Sequence, residues 1–309
     1  MMIRTEEQLK LKEFVRSDLA SEMMEDHVGG LDGVDLHRRR AGEFLITELS
    51  VRTLAGAAKL DKPCGRYLTL ECGRIDHLDE EKARALAHLL AGELRGMGQR
   101  LTGKRIDASF CVFVAGLGNA ELTADALGPE TVRRLSVTRH LREHEEQIYR
   151  KIGCASVASL APGVLGQTGI ETGEILRGIV NAIHPDLILV VDALSARSCD
   201  HLSTTVQLSD VGIAPGSGVG NHRTAINRES MGVPVIAMGV PTVVNSATLV
   251  YDALQEAGIT SENQNLQRVL ERGKSFFVSP KECDVICDKV ADLFSMAIGM
   301  AFASMLVME

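Results

Sequence analysis

No window of this 309-residue chain approaches the ~18 uninterrupted apolar residues of a membrane span, so no span is expected. The first residues, Met1-Met2-Ile3-Arg4-Thr5-Glu6-Glu7, are charged from the start and lack the apolar region of a signal peptide, which predicts a cytoplasmic protein. No Cys-x-x-Cys pair occurs among the seven cysteines, which excludes the usual redox and zinc spacings. They read as small buried residues or inert thiols of a reducing compartment. Cys283 and Cys287 stand four apart on an expected helix, too little by themselves for a metal site. Acidic residues outnumber basic ones, and the net charge of −8 argues against a nucleic-acid surface while leaving a basic protein substrate acceptable. Internal repeats and low-complexity segments are also lacking.

Several catalytic signatures are missing too. Gly116-Leu117-Gly118-Asn119 follows an apolar strand, yet the position three after Gly118 is Glu121, so the dinucleotide fingerprint is incomplete. Gly216-Ser217-Gly218-Val219-Gly220-Asn221 is rich enough in glycine to cradle an anion, but no Gly-Lys-Ser/Thr follows. Ser217 lacks the Gly-x-Ser-x-Gly frame of a nucleophile elbow, although His201 and His222 are in range to activate it. His140-Leu141-Arg142-Glu143-His144 does not match a zinc-binding spacing and reads as a solvated charged helix, as His37-Arg38-Arg39-Arg40 reads as a solvated face. Neither a metal nor a cofactor is expected.

What is present is an alternation of short apolar runs and amphipathic stretches. Phe44–Thr53, Arg66–Glu71, Ala108–Ala115, Leu187–Val191, Thr204–Leu208 and Pro234–Pro241 read as strands. Asp79–Gln99 carries Ala83, Leu86, Leu89, Leu90 and Leu94 at helical spacing, with Glu80 and Glu81 in the first turn, where the macrodipole favours them. Helices are also expected from Pro129, over Glu171–Ile183, over Ala247–Ala257 and over Lys281–Val307. This order predicts an α/β fold whose mostly parallel sheet is covered on both faces, with the polar residues 21–45 and the early strands forming a small N-terminal annex.

Two segments stand out for their carboxylates: Leu122-Thr123-Ala124-Asp125-Ala126-Leu127-Gly128-Pro129 and Leu189-Val190-Val191-Asp192-Ala193-Leu194. In open α/β sheets, ligands bind beyond the carboxyl ends of the strands. Two carboxylates delivered to one such edge can divide the work of acid and base, since like charges held close do not both ionise easily. The alternative for each is a helix N-cap. The residues alone leave both readings open.

Taken together, several segments resemble the germination proteases of spore-forming bacteria. They are Arg16-Ser17-Asp18-Leu19-Ala20-Ser21-Glu22, Gly65–Glu71, Gly116–Asn119, Thr123–Pro129, Pro162–Gly169, Val191–Leu194, Asp210–Asn221 and Gly239–Val244, spread from about residue 14 to about residue 255. The resemblance implies a three-layer α/β/α fold of the phosphorylase/hydrolase-like kind, related to hydrogenase-maturation proteases. It implies a homotetrameric endopeptidase that starts the degradation of small acid-soluble spore proteins in the spore core. The family's two catalytic aspartates fall on Asp125 and Asp192, and the loop Gly216, Ser217, Gly218 and Gly220 becomes a candidate for substrate-backbone binding.

The resemblance also implies a zymogen that cuts itself. The family favours an acidic residue before the cut, a large apolar residue after it and Ala next, which fits cleavage between Asp18 and Leu19. Residues 1–18 then form a propeptide arm and 19–309 a single protease domain. Val15 departs from the acidic residue the family favours four positions before the cut. A metal-dependent hydrolase akin to the maturation proteases is the alternative.

Overall fold

The computed structural model describes residues 17–25, 27, 29–216, 224–257, 269–270, 272–273 and 275–302. Among the described residues nine strands form one sheet: β1 (Val34–Ala41), β2 (Phe44–Val51), β3 (Gly65–Glu71), β4 (Cys111–Gly116), β5 (Ser156–Leu160), β6 (Leu187–Ala196), β7 (Thr205–Ser209), β8 (Val235–Asn245) and the short β9 (Phe277–Val278). Their order is β1-β2-β3-β7-β8-β6-β4-β5, with β9 paired to the far end of β8. The pairs β4·β5, β4·β6 and β6·β8 are parallel, whereas β1·β2, β2·β3, β3·β7 and β7·β8 are antiparallel. The parallel character expected from the sequence therefore resides in β5-β4-β6-β8. The N-terminal strands join that unit as an antiparallel margin of the same sheet.

The principal helices are α1 (Ala20–Glu25), α2 (Leu54–Leu60), α3 (Glu80–Thr102), α4 (Leu127–Arg134), α5 (Thr172–Ile183), α6 (Ser246–Glu256) and α7 (Cys283–Phe302). Asp79 caps α3 by accepting from the Lys82 N–H at 2.8 Å, and Gly103 ends it in the left-handed region that glycine adopts without strain. The two faces of the parallel strands enter different cores, because side chains alternate along a strand. Val112, Val114, Leu187, Leu189 and Val191 pack with Leu86, Leu90 and Leu94 of α3 and Phe294 and Ile298 of α7. Phe113, Ala115, Ile188 and Val190 pack on the opposite side with Leu176 and Val180 of α5. This is a three-layer α/β/α arrangement, and it explains why β4 and β6 read as unbroken apolar runs.

Three elements differ from their sequence reading. The basic run His37–Arg40 lies within β1, the sheet's outermost strand, most of whose residues are exposed. An edge strand facing water carries charge instead of apolar alternation, so it gives no strand signal. β6 continues five residues past Val191, and Asp192 is thus inside a strand and not at a helix N-terminus. β8 likewise runs on through Pro241 to Asn245, with a register shift opposite Leu194 and Ser195 that leaves Thr242 as the extra residue of a bulge. Cys283 and Cys287 are buried free thiols on α7, and burial pushes the Cys287 thiol up to about 11. The His140 and His144 stretch forms two short helices carrying Arg139–Glu143 and Arg150–Glu146 ion pairs, as a solvated face would.

A carboxylate-lined cavity at the sheet edge

β4 and β6 are parallel neighbours, with Gly116 opposite Val191, so both strands send the chain out at the same edge of the sheet. After Gly116 the chain turns sharply and returns through the single 3₁₀ turn Thr123–Asp125 into α4. The glycines of this region are required by space. A Cβ on Gly118, whose φ is +112°, would sit 1.9 Å from the Asp125 carbonyl oxygen. A Cβ on Gly116 would sit 2.2 Å from the carbonyl oxygen of Gly128, and one on Gly128 2.2 Å from that of Leu117. The motif Gly116-Leu117-Gly118-Asn119 thus works with Asp125-Ala126-Leu127-Gly128: backbone packs on backbone, and α4 starts directly against the strand exit.

Asp125 is fixed within this turn. Its Oδ2 accepts from the Asn119 N–H at 2.8 Å. The Asn119 side chain accepts in turn from Glu121 N–H at 3.0 Å and from Gln167 Nε2 at 2.9 Å, which ties in the Pro162–Gly169 segment. On the other side the hydroxyl of Thr242, the bulged residue of β8, donates to the Ala124 carbonyl at 2.7 Å. Asp125 is not the N-cap of α4; Ala126 holds that position and makes no side-chain cap bond. Asp192 follows Ile188 and Val190 on the α5-facing side of β6, is 7% exposed, and accepts from the Ala193 N–H at 3.0 Å through Oδ1. Opposite it stands Gly239, where a Cβ would meet the Asp192 carbonyl oxygen at 2.6 Å.

Asp125 and Asp192 line one cavity of about 530 Å³, together with Leu117, Val164, Thr172, Gly216, Thr242 and Phe276. Asp18 lines it as well. Gly216 is therefore a wall of the cavity; Ser217, Gly218 and Gly220, the remainder of the expected substrate loop, lie outside the described residues, as does His222. His201 is turned elsewhere, with Nδ1 2.6 Å from Glu22 Oε1. Among the described residues no group of three His, Cys, Asp or Glu side chains is arranged to hold a metal ion.

The segment around the expected cut is seated beside this cavity. The Asp18 N–H donates to the Ser195 carbonyl at 2.8 Å, and the Ser195 N–H donates to Asp18 Oδ2 at 2.9 Å, which pairs the segment with β6 three residues beyond Asp192. Leu19 is fully buried among Leu194, Ala196, Leu202 and Val244. Glu22 is 1% exposed; its carboxylate accepts from the N–H groups of Arg197 at 2.7 Å and Ser198 at 3.0 Å, and also from the Ser17 hydroxyl. Burial by itself raises the Glu22 carboxyl, but the bonds from His201, Ser17, Ser198 and Arg197 outweigh it and hold the group below the usual glutamate range. Sequence reasoning missed Glu22, Lys62, Gln207, Ser195 and Thr242, because each acts through a partner distant along the chain.

Comparison with known proteins gives the class and then the family. The model described as germination protease matches residues 9–257. The germination protease of Clostridium tetani is 35% identical, over 96% of this chain and 97% of the relative. That of Caldanaerobacter subterraneus subsp. tengcongensis is 37% identical over 93% and 94%, and that of Priestia megaterium 39% identical over 81% and 69%. A solved [NiFe] hydrogenase maturation protease, HycI from Thermococcus kodakarensis, covers 62% of this chain and 93% of its own at 16% identity, with a TM-score of 0.34, too distant to carry an argument. The α/β chain with its carboxylate-lined cavity is thus a peptidase. It belongs to the germination protease family.

Proposed function

We propose that this chain is the endopeptidase that starts the breakdown of small acid-soluble spore proteins at germination, with Asp125 and Asp192 as its acid–base pair. The observation that carries the reading is the shared cavity: Asp192 from within β6, Asp125 from the turn that follows β4, and the residue before the expected cut line the same 530 Å³ space. One carboxylate takes a proton from water as the water attacks the scissile carbonyl carbon. The other, protonated, delivers a proton to the leaving amine. The wall at Gly216 and the exposed rim at Phe276 fit an extended peptide lying across the sheet edge.

The chain is made, on this reading, as a zymogen: residues 1–18 are a propeptide arm, 19–309 the protease domain, and self-cleavage falls between Asp18 and Leu19. The seating of that segment supports it, since Leu19 fills an apolar pocket and Asp18 borders the cavity of both carboxylates. The active form is a homotetramer in the spore core. The test is incubation of the purified chain with a small acid-soluble spore protein. Fragmentation by the wild type and none by Asp125→Asn or Asp192→Asn is the expected result; an intact substrate with the wild type, or cleavage dependent on an added metal and abolished by chelator, rejects the acid–base pair.

A further inference from the structure

The bond expected to be cut has a carbonyl group whose oxygen is already engaged by two donors. The Asp18 carbonyl oxygen accepts from Gln207 Nε2 at 2.9 Å and from Lys62 Nζ at 3.2 Å, and Lys62 Nζ also donates to the Ser17 carbonyl at 3.0 Å. Gln207 spans the scissile bond: its Oε1 accepts from the Ala20 N–H at 2.7 Å. That second contact fixes the amide's orientation, because a backbone N–H only donates, so the NH₂ end must face the Asp18 carbonyl. Gln207 is 8% exposed and sits in β7 opposite Gly239, which is itself the neighbour of Asp192 across the β8·β6 pair. The two donors thus reach the Asp18 carbonyl from β7 and from the turn after α2, while the two aspartates border the cavity that Asp18 also lines.

The geometry points to Lys62 and Gln207 as the oxyanion-stabilising pair of the hydrolysis, an assignment that rests on the reading that Asp18–Leu19 is cut. In the step, water oxygen bonds to the Asp18 carbonyl carbon and gives its proton to a carboxylate. The C=O π pair moves onto the oxygen, where the Lys62 ammonium and the Gln207 NH₂ face it. When the C–N bond breaks, that pair re-forms the C=O bond and the Leu19 nitrogen takes the proton. Negative charge appears on that oxygen only between the two events, so donors placed there stabilise the transition state more than the ground state. Burial pushes the Lys62 ammonium down and the charges of Asp18, Asp61 and Glu22 oppose that shift; while protonated, it acts more strongly in a partly buried site than it would in water.

Two alternatives have to be separated from this. One is that Lys62 and Gln207 merely tether the segment, since both also bond to backbone outside the reacting group. The other is that the segment is not cut at all. The test measures self-cleavage of the full chain in a single turnover, read by mass spectrometry, alongside hydrogen exchange of the Leu19 and Ala20 amides. Lys62→Met removes the ammonium. Gln207→Glu keeps an acceptor for the Ala20 N–H and loses the donor to the carbonyl.

Each variant should slow cleavage about 10²- to 10³-fold, as loss of one oxyanion donor does, while the Leu19 and Ala20 amides stay as protected as in the wild type. Lys62→Arg should recover part of the rate. Cleavage at the wild-type rate in both variants overturns the assignment, and so does slow cleavage accompanied by loss of amide protection, which is the behaviour of a tether. A wild-type chain that never yields a Leu19 terminus instead rejects the reading on which the assignment rests.

Discussion

The hydroxyl of Thr242 donates to the carbonyl of Ala124 across 2.7 Å, and by doing so fastens the turn that carries Asp125 to the strand beside Asp192. Thr242 can make this bond because it is the extra residue of a bulge in β8, which frees its side chain from the ladder's regular alternation. The two aspartates come from segments far apart in sequence, and this bond is a direct tie between their supporting elements.

Replacing Thr242 with Val keeps the shape and removes the donor. The half-buried Ala124 carbonyl then loses its partner, a cost of about 0.5–1.5 kcal/mol for one hydrogen bond. The activity should fall further than that stability loss explains, because the Asp125 turn is released. Thr242→Ser should restore both. Thermal unfolding and the rate of peptide cleavage check the two effects separately.

Gly118→Ala tests the close approach of the strand exit to Asp125. The new Cβ would lie 1.9 Å from the Asp125 carbonyl oxygen, at a φ of +112° that L-residues rarely adopt. Strained backbone of this kind costs about 1–3 kcal/mol, before the clash is counted. A melting temperature lowered by several degrees and a near-complete loss of cleavage are expected. Gly166→Ala, with nothing within 4 Å of its Cβ, should leave both unchanged.

Glu22 should make the seating of residues 17–22 depend on acid. Its folded-state carboxyl is held below the ordinary range by His201, Ser17 and two backbone N–H groups against the opposing effect of burial. A group whose folded pKa is lowered contributes its stabilisation above the unfolded value, about 4.3 for Glu, and loses it as pH falls through the folded value. Amide protection at Leu19 and Ala20 should therefore be full at neutral pH and decline below about pH 4. In Glu22→Gln, the protection should be weaker throughout, without that acid step. Hydrogen exchange across the range reads both.

Leu19→Ala should loosen the same segment at any pH. Removing a fully buried leucine from the pocket of Leu194, Ala196, Leu202 and Val244 costs about 2–5 kcal/mol where the surroundings do not collapse. Self-cleavage of this variant should slow, with the amides of residues 17–22 exchanging faster than in the wild type.

The range of each interaction decides how much was legible in the sequence. β4, β6 and β8 announce themselves, because strands buried on both faces are continuous apolar runs. The glycines of Gly116–Asn119, directly after an apolar strand, are equally local and mark the turn at its end. β1 was not legible: it is an edge strand whose charged residues face water. The cap alternative for Asp192 failed because β6 runs on to Ala196, held by a β8 partner that no neighbouring residue reveals. Lys62, Gln207 and Glu22 stayed hidden for the same reason. Each is ordinary in its own segment and acquires a role only when folding brings residues 17–22 against β6, β7 and the turn after α2.

On the proposed reading, Asp125 and Asp192 together cut the chain's own Asp18–Leu19 bond. That reading is tested most directly by the N-terminal mass of the purified full chain after incubation, wild type beside Asp125→Asn and Asp192→Asn. A new terminus at Leu19 in the wild type and an intact terminus in both variants are expected, with melting temperatures within a few degrees of one another. A Leu19 terminus that appears at the same rate in a folded Asp125→Asn or Asp192→Asn chain would contradict the reading.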